Sequence, residues 1–194
     1  MLRLSRAIDG LNEFIGRWLS WLILLAVLIS ATNAVVRKVF NYSSNSFLEI
    51  QWYLFAAIFL LAAGYTLLRN EHVKIDVILG RFTKRTQIIV EAVCLVVFLA
   101  PFCIIVIELV WPLVMRAYQS GEMSSNAGGL IRWPVYALVP VGFVLLLLQG
   151  VSEFIKRIAF LRGLIGDPTR KKQAKTAEEE LAEFVRAQAE GAKK

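Results

Sequence analysis

The sequence has little histidine and little cysteine. Its 194 residues include one histidine, His72, and two cysteines, Cys94 and Cys103. A single histidine cannot supply both axial ligands of a bis-histidine haem within the membrane. The cysteines stand nine positions apart in one apolar run, about 13 Å along a helix, which excludes a disulfide between them. The sequence also lacks a phosphate-binding loop, a zinc-ligand cluster and a nucleophile elbow, so we predict neither an enzyme nor a cofactor in this chain.

Four long apolar runs, by contrast, fill most of the chain. They cover residues 18–36, 48–68, 88–115 and 133–155, and 57% of all residues are hydrophobic. A helix needs about 20 apolar residues to cross the ~30 Å of hydrocarbon with its backbone hydrogen bonds satisfied internally. The sequence therefore predicts an all-α integral membrane protein with four transmembrane helices in a membrane domain at 18–155. The first run is too long for a cleaved signal and is interpreted as a retained anchor.

Basic residues are divided unevenly between the two sides of these runs. Of the 22 lysines and arginines, 18 lie before the first run, between the second and third, or after the fourth. The positive-inside rule then places both the N and C termini and the middle loop in the cytoplasm. The net charge is +7, and the basic residues responsible for it lie beside the spans rather than on one folded face. We therefore expect these residues to bind membrane lipids and no nucleic acid.

Short amphipathic interfacial helices are predicted on the cytoplasmic side. Residues 1–17 place apolar residues at helical spacing, typical of a helix that lies at the interface or extends the first span. That apolar face carries Leu4, Ile8, Leu11 and Ile15. Residues 75–82 repeat the pattern in the second loop. The basic tail at 156–194 contains a plausible capping box, which predicts a short helix at about 177–189.

Few ionisable residues fall inside the apolar runs. Glu49 opens the second span, where the positive end of the helix dipole favours a carboxylate. Glu108 is the one carboxylate well inside a run, and in hydrocarbon it must be protonated, paired or turned towards protein or water. It could belong to a proton or cation relay, but a lone acid makes a poor pathway, so we favour a hydrogen bond to a neighbour or a partner subunit. Glu91 and Glu153 are interpreted as interfacial.

The third run is also too long for the bilayer core. Its 28 residues would make a helix of about 42 Å, so tilt, protrusion or a bend is expected. Pro101 is the predicted place for a bend, because proline removes one backbone hydrogen bond.

Three short motifs stand in a fixed order relative to the runs. Arg69-Asn-Glu-His-Val-Lys-Ile-Asp76 follows the second run, Gly121-Glu122 lies in the third loop, and Arg132-Trp-Pro134 opens the fourth run. Together with four spans and two cytoplasmic ends, they resemble the small membrane subunit, of the DctQ type, of tripartite ATP-independent periplasmic (TRAP) transporters. The resemblance covers roughly residues 10–160. Its cytoplasmic signature comprises Arg69, His72 and Asp76, and its periplasmic signature comprises Gly121, Glu122, Arg132, Trp133 and Pro134.

The resemblance implies a scaffold in a bacterial cytoplasmic (inner) membrane. Such subunits pair with a larger multispan membrane subunit that holds the substrate and sodium sites. A soluble periplasmic protein captures the substrate, often a carboxylate, and delivers it. We expect the cytoplasmic signature to shape the subunit and its lipid anchoring, and the periplasmic signature to border the docking surface for the binding protein. Alternatively, both signatures only fix loop geometry.

Two other functions fit four apolar spans. The small four-span subunit of tripartite tricarboxylate transporters shares the architecture but should lack this loop signature. A membrane anchor or assembly protein could recruit cytoplasmic partners through the helix predicted at 177–189.

Overall fold

A computed structural model describes residues 1–41, 45–71 and 82–166. His72, Asp76, the helix predicted at 177–189 and nearly all of that predicted at 75–82 lie outside the described residues.

The described residues form helices that are long and apolar enough to make four membrane spans. The bounds are α1 Leu2–Phe40, α2 Asn45–Arg69, α3 Lys84–Cys94, a π-helical turn Leu95–Leu99, α4 Ala100–Ser120 and α5 Trp133–Leu161. The segments α3, π turn and α4 follow one another without a break and make up the third spanning helix, Lys84–Ser120. The predicted all-α membrane fold is confirmed.

The first spanning helix is one uninterrupted helix of 39 residues. It runs through both the predicted amphipathic segment at 1–17 and the first predicted span. The apolar face predicted for that segment is only partly turned into the bundle, since Leu4 and Leu11 are 56% and 43% exposed whereas Ile8 is 8% exposed. The face that packs inside is small or polar over much of its length and comprises Ser5, Ile8, Asn12, Gly16 and Leu19.

The third spanning helix departs from regular α-helical geometry next to Pro101, where the sequence predicts a bend. The π-helical turn Leu95–Leu99 ends two residues before the proline, which lies at the beginning of α4. Proline cannot donate to the carbonyl one turn before it, and its ring crowds that carbonyl. A wider turn relieves this crowding, and π-helical turns commonly appear in this way inside long helices.

The fourth spanning helix, α5, lies at the centre of the bundle. It packs against α1, α2 and the third spanning helix, whereas α2 packs mainly against α1 and α5. The backbones of α2 and α5 meet closely at Gly142, where an added Cβ would lie 2.7 Å from the carbonyl oxygen of Leu60. Small residues allow such close approach between membrane helices.

The bundle has two chemically different ends. We call the end that holds the start of α1 and the end of α5 the terminal end, and the opposite one, which holds residues 121–132, the loop end. Because the four helices alternate in direction, Arg69 and Lys84 lie at the terminal end and Asn45 lies at the loop end.

Candidate functional site

Buried polar side chains of the described residues are confined to the two ends. One, Glu49, lies at the loop end, and the others lie at the terminal end: Ser5, Asn12, Gln149, Ser152, Glu153 and Arg157. Sixteen residues of α5, about 24 Å of helix, separate Gln149 from Trp133 at the loop end. Between these levels the helices of the described chain meet through apolar and small residues.

The terminal end is joined by hydrogen bonds between α1 and α5. The hydroxyls of Ser5 and Ser152 lie 2.7 Å apart, and Asn12 Nδ2 donates to Gln149 Oε1 over 3.0 Å. Asp9 accepts from both Gln149 Nε2 (3.0 Å) and Ser152 Oγ (2.7 Å). Ser5, Asp9 and Asn12 of α1 therefore each bond to a polar side chain of α5, as polar groups buried between helices usually do.

Ion pairs extend this network to the third spanning helix. Arg157, whose side chain is 5% exposed, pairs with Glu153 at 2.7 Å and with Glu91 of α3 at 2.9 Å. Lys156 pairs with Glu153 at 2.7 Å and with Asp9 at 2.8 Å. Each of these five charges thus lies against at least one opposite charge, as burial requires. We call the whole set the terminal cluster: Ser5, Asp9, Asn12, Glu91, Gln149, Ser152, Glu153, Lys156 and Arg157.

Asn12 also fixes how closely α1 and α2 approach. Its Nδ2 donates to Gln149 and to the carbonyl of Ile8, while its Oδ1 is buried without a hydrogen-bond partner. That oxygen rests against Gly64 of α2, where an added Cβ would lie 2.3 Å away. Only glycine leaves room for the amide there, so Gly64 and Asn12 together set the contact between the two helices.

Arg69 makes a second link between α1 and α2. Its guanidinium pairs with Glu13 of α1 and also bonds to the hydroxyl of Tyr65 over 3.1 Å. It lies over the ring of the same tyrosine, 5.2 Å from the centroid. This residue of the cytoplasmic signature therefore contacts its own chain.

Glu49 is the centre of the loop end. It is 3% exposed, and its carboxylate accepts from Ser124 Oγ, from Asn126 Nδ2 at 2.7 Å and from the backbone N–H of Leu130 at 2.6 Å. The sequence predicts that the positive end of its own helix favours this carboxylate. Because α2 begins at Asn45, Glu49 lies in the second turn, and the loop at 121–132 provides its donors instead.

That loop is a closed hairpin-like turn. Gly121 ends α4 in the left-handed conformation with a φ of 61°, which glycine adopts without steric cost. Glu122 and Arg132 face each other, joined by a backbone hydrogen bond of 2.9 Å and a side-chain ion pair of 3.0 Å. This contact raises the pKa of the Arg132 guanidinium. Trp133 packs edge-on against Tyr118 with centroids 5.4 Å apart.

The loop is also fastened to the start of α2. Asn45 donates to the carbonyl of Ala127 over 3.1 Å, Ser46 to that of Gly128, and the Tyr53 hydroxyl to that of Ile131 over 3.0 Å. The periplasmic signature thus shapes the connection between the third and fourth spanning helices, with Pro134 in the first turn of α5. The exposed residues around the tip carry no charge and include Met123 at 62% exposure.

Glu108 stands apart from both clusters. It is exposed on α4 and has no hydrogen-bond or ion-pair partner among the described residues. The structure therefore does not connect it to a second ionisable group of this chain within that part.

Most of the terminal cluster is not predicted from the sequence. The sequence predicts that Glu91 and Glu153 lie near the membrane interface, but not that Glu153 is buried between helices at 6% exposure. A signal was present, because polar residues repeat along α5 at positions 149, 152, 153, 156 and 157, the spacing of one helical face. Such a stripe on an otherwise apolar helix indicates a polar contact with another helix.

Chemically, the two clusters hold helices together. Apart from Asn12 Oδ1, their buried side-chain donors and acceptors have partners within the chain, and no group of three or more His, Cys, Asp or Glu among the described residues is placed to hold a metal ion. The arrangement fixes α1, α2, α3 and α5 at one end and the 121–132 loop at the other.

Comparison with known proteins gives one match. A family model described as "Tripartite ATP-independent periplasmic transporters, DctQ component" matches residues 26–160, which is 135 of the 194 residues. The match includes Glu49 and the α5 half of the terminal cluster but begins after Asp9 and Asn12. No curated protein and no solved structure matches the chain.

Proposed function

Because the chain belongs to the DctQ family of TRAP transporters, we propose that it is a fixed support for the large membrane subunit that moves the substrate. As a DctQ component it is a small membrane subunit of a tripartite transporter, and its family is one of transport components rather than enzymes. Its proposed partners are the other two components, a large multispan membrane subunit and a periplasmic substrate-binding protein.

The observation that carries this proposal is the placement of the buried polar groups. A solute path through a membrane protein is normally lined by polar or ionisable residues near the bilayer midplane. In the described residues such groups are buried only at the two ends and bond to one another, with about 24 Å of helix between them. This supports a subunit whose helices are joined at both ends and which binds no substrate.

The distribution of lysines and arginines along the sequence supports an orientation in the membrane. Of the 22 lysines and arginines, 18 belong to the sequence segments before the first apolar run, between the second and third, or after the fourth. We therefore place the terminal end in the cytoplasm of a bacterial cell whose inner membrane the chain spans. The loop at 121–132 then faces the periplasm. There its tip is available to border the docking surface of the binding protein, and Glu49 fixes its position.

The coupling ion and the substrate belong to the partners in this proposal. Sodium and a small organic acid would bind in the large subunit, and this chain needs no cofactor of its own. Membrane lipids contact the apolar outer surface.

Uptake by reconstituted vesicles tests the proposal. Vesicles with both membrane subunits should take up substrate when the binding protein and a sodium gradient are supplied, whereas vesicles with this chain alone should take up none. The small subunit in a tricarboxylate system would instead require that family's large subunit for activity. Uptake by the isolated chain would refute the proposed support role.

A further inference from the structure

Glu108 lies on the exposed side of α4, within the apolar part of the third spanning helix. The nearest acidic or basic residues along the helix are Arg116, eight positions later, and Glu91, 17 positions earlier. At 1.5 Å per residue these lie about 12 Å and 25 Å away along the axis. The carboxyl is therefore well inside the hydrocarbon region, where an unsatisfied polar group is costly.

The backbone adds a second acceptor at the same position. Pro112 stands one turn after Glu108 inside the helix and has no N–H, so it cannot donate to the carbonyl of Glu108. Side chain and backbone thus both require a donor at one position of α4.

Glu108 belongs to one continuous helical face of α4. The residues of this face follow one another at spacings of four, three and four positions. They are Pro101, Ile105, Glu108 and Pro112, and we call this surface the proline face. All four are exposed, and Ile105 is 53% exposed. The opposite face of α4 carries Cys103, Val114 and Ala117, which are buried against the bundle.

We propose that the proline face binds the large membrane subunit, and that a basic side chain on a partner helix bonds to Glu108. This inference rests on the proposed function and identifies the face through which the support acts. An arginine suits the position well, because its several donors can reach both the carboxylate and the free carbonyl. Lipid acyl chains offer no donor.

A second copy of this chain is a poorer occupant of the face. A two-fold contact through the same surface would bring one Glu108 close to the other. Two carboxylates would repel each other there, so the pair could form only with at least one of them protonated, which disfavours it.

Photo-crosslinking in the intact transporter tests the contact. A benzophenone amino acid at Ile105 should capture the large subunit. The comparison site is Val27 on α1, which is similarly exposed at 57%. Capture of the large subunit from Val27 but not from Ile105 would overturn the proposal, as would capture of only a second copy of this chain.

Co-purification tests the role of Glu108 itself. Through a tag on this chain, Glu108→Leu should recover about tenfold less large subunit than the natural sequence, and Glu108→Gln should fall between them, because a lost interhelical hydrogen bond is worth about that much. The thermal stability of the isolated variants should not change, since Glu108 contacts no partner in the described part of its own chain. Full recovery with Glu108→Leu would overturn this inference alone, whereas no recovery with the natural sequence would refute the proposed function.

Discussion

The third and fourth spanning helices are both long and apolar enough to cross a membrane, but they differ in their surroundings. In the most apolar 18-residue window, 33% of α5 is buried inside the chain, against 6% of the third helix. The fourth helix carries its polar residues on a face that α1 and α3 cover. The third helix carries Glu108 on a face that no described part of the chain covers.

The difference concerns where a polar group in a membrane helix finds its partner. Lipid is as apolar as leucine, so membrane helices associate through close packing and hydrogen bonds more than through the hydrophobic effect. The polar stripe of α5 is satisfied within the chain and stabilises the fold. An exposed carboxyl on α4 is instead suited to hold another subunit.

The largest effect is expected from removing the charge at the centre of the terminal cluster. Arg157→Leu leaves Glu153 and Glu91 without their buried cation, which should cost about 3–5 kcal/mol. The melting temperature of the purified chain should fall by on the order of 10 °C. Arg162→Leu, at the exposed end of α5, is the matched control and should change little. Equal melting temperatures for the two variants would show that the cluster does not stabilise the bundle.

Two identical leucine truncations compare the helices directly. Leu145 of α5 is 8% exposed and Leu109 of α4 is 73% exposed. Leu145→Ala leaves a cavity and should destabilise the isolated chain by about 2–4 kcal/mol, whereas Leu109→Ala should have almost no effect because lipid replaces the lost contact. Thermal unfolding in the same detergent measures both. If Leu109→Ala were as costly as Leu145→Ala, the third helix would not be the peripheral one.

The loop at 121–132, which connects the third and fourth spanning helices, should loosen when the carboxylate of Glu49 is removed. Glu49→Leu removes the acceptor of three hydrogen bonds, which should cost about 1.5–3 kcal/mol. The loss is local, so hydrogen exchange should accelerate at 121–132 while the terminal end keeps its protection. Glu71→Leu, an exposed substitution at the other end of α2, is the control. Unchanged exchange in the loop would mean that other contacts hold it.

The smallest effect is expected at the exposed ion pair of the same loop. Glu122→Arg should destabilise by less than about 1 kcal/mol, and adding Arg132→Glu should restore the loss because the charges are then exchanged. Uptake that depends on the binding protein is the second readout for each single charge reversal. If uptake is unchanged, the pair only closes the loop and does not border the docking surface.

The sequence predicted the spans because burial in lipid leaves a strong signal. Each of the four apolar runs lies within an observed helix, and the irregular turn occurs next to Pro101. The DctQ resemblance, based on Gly121-Glu122 and Arg132-Trp-Pro134 among others, is confirmed by the family match. The roles of His72 and Asp76 stay predictions.

Contacts between distant residues could not be predicted in the same way. The spacing of Asp9, Ser152 and Lys156 shows polar faces on two helices but not that the faces meet. Likewise, Glu49 precedes its loop donors by at least 75 residues, and only the fold brings them together. Glu108 was identified from the sequence because a lone carboxylate in an apolar run is conspicuous without any partner.

Distances within this chain during transport test the support role most directly. Spin labels at Arg6 and Arg85 report on the terminal end, and labels at Phe47 and Ser120 report on the loop end, in a chain whose two native cysteines are replaced. In the complete transporter, both distances should stay within about 2 Å when sodium, substrate and the binding protein are added. A change of about 5 Å or more, the size of a one-turn helix shift, would show that the helices of this subunit rearrange during transport and would contradict a fixed support.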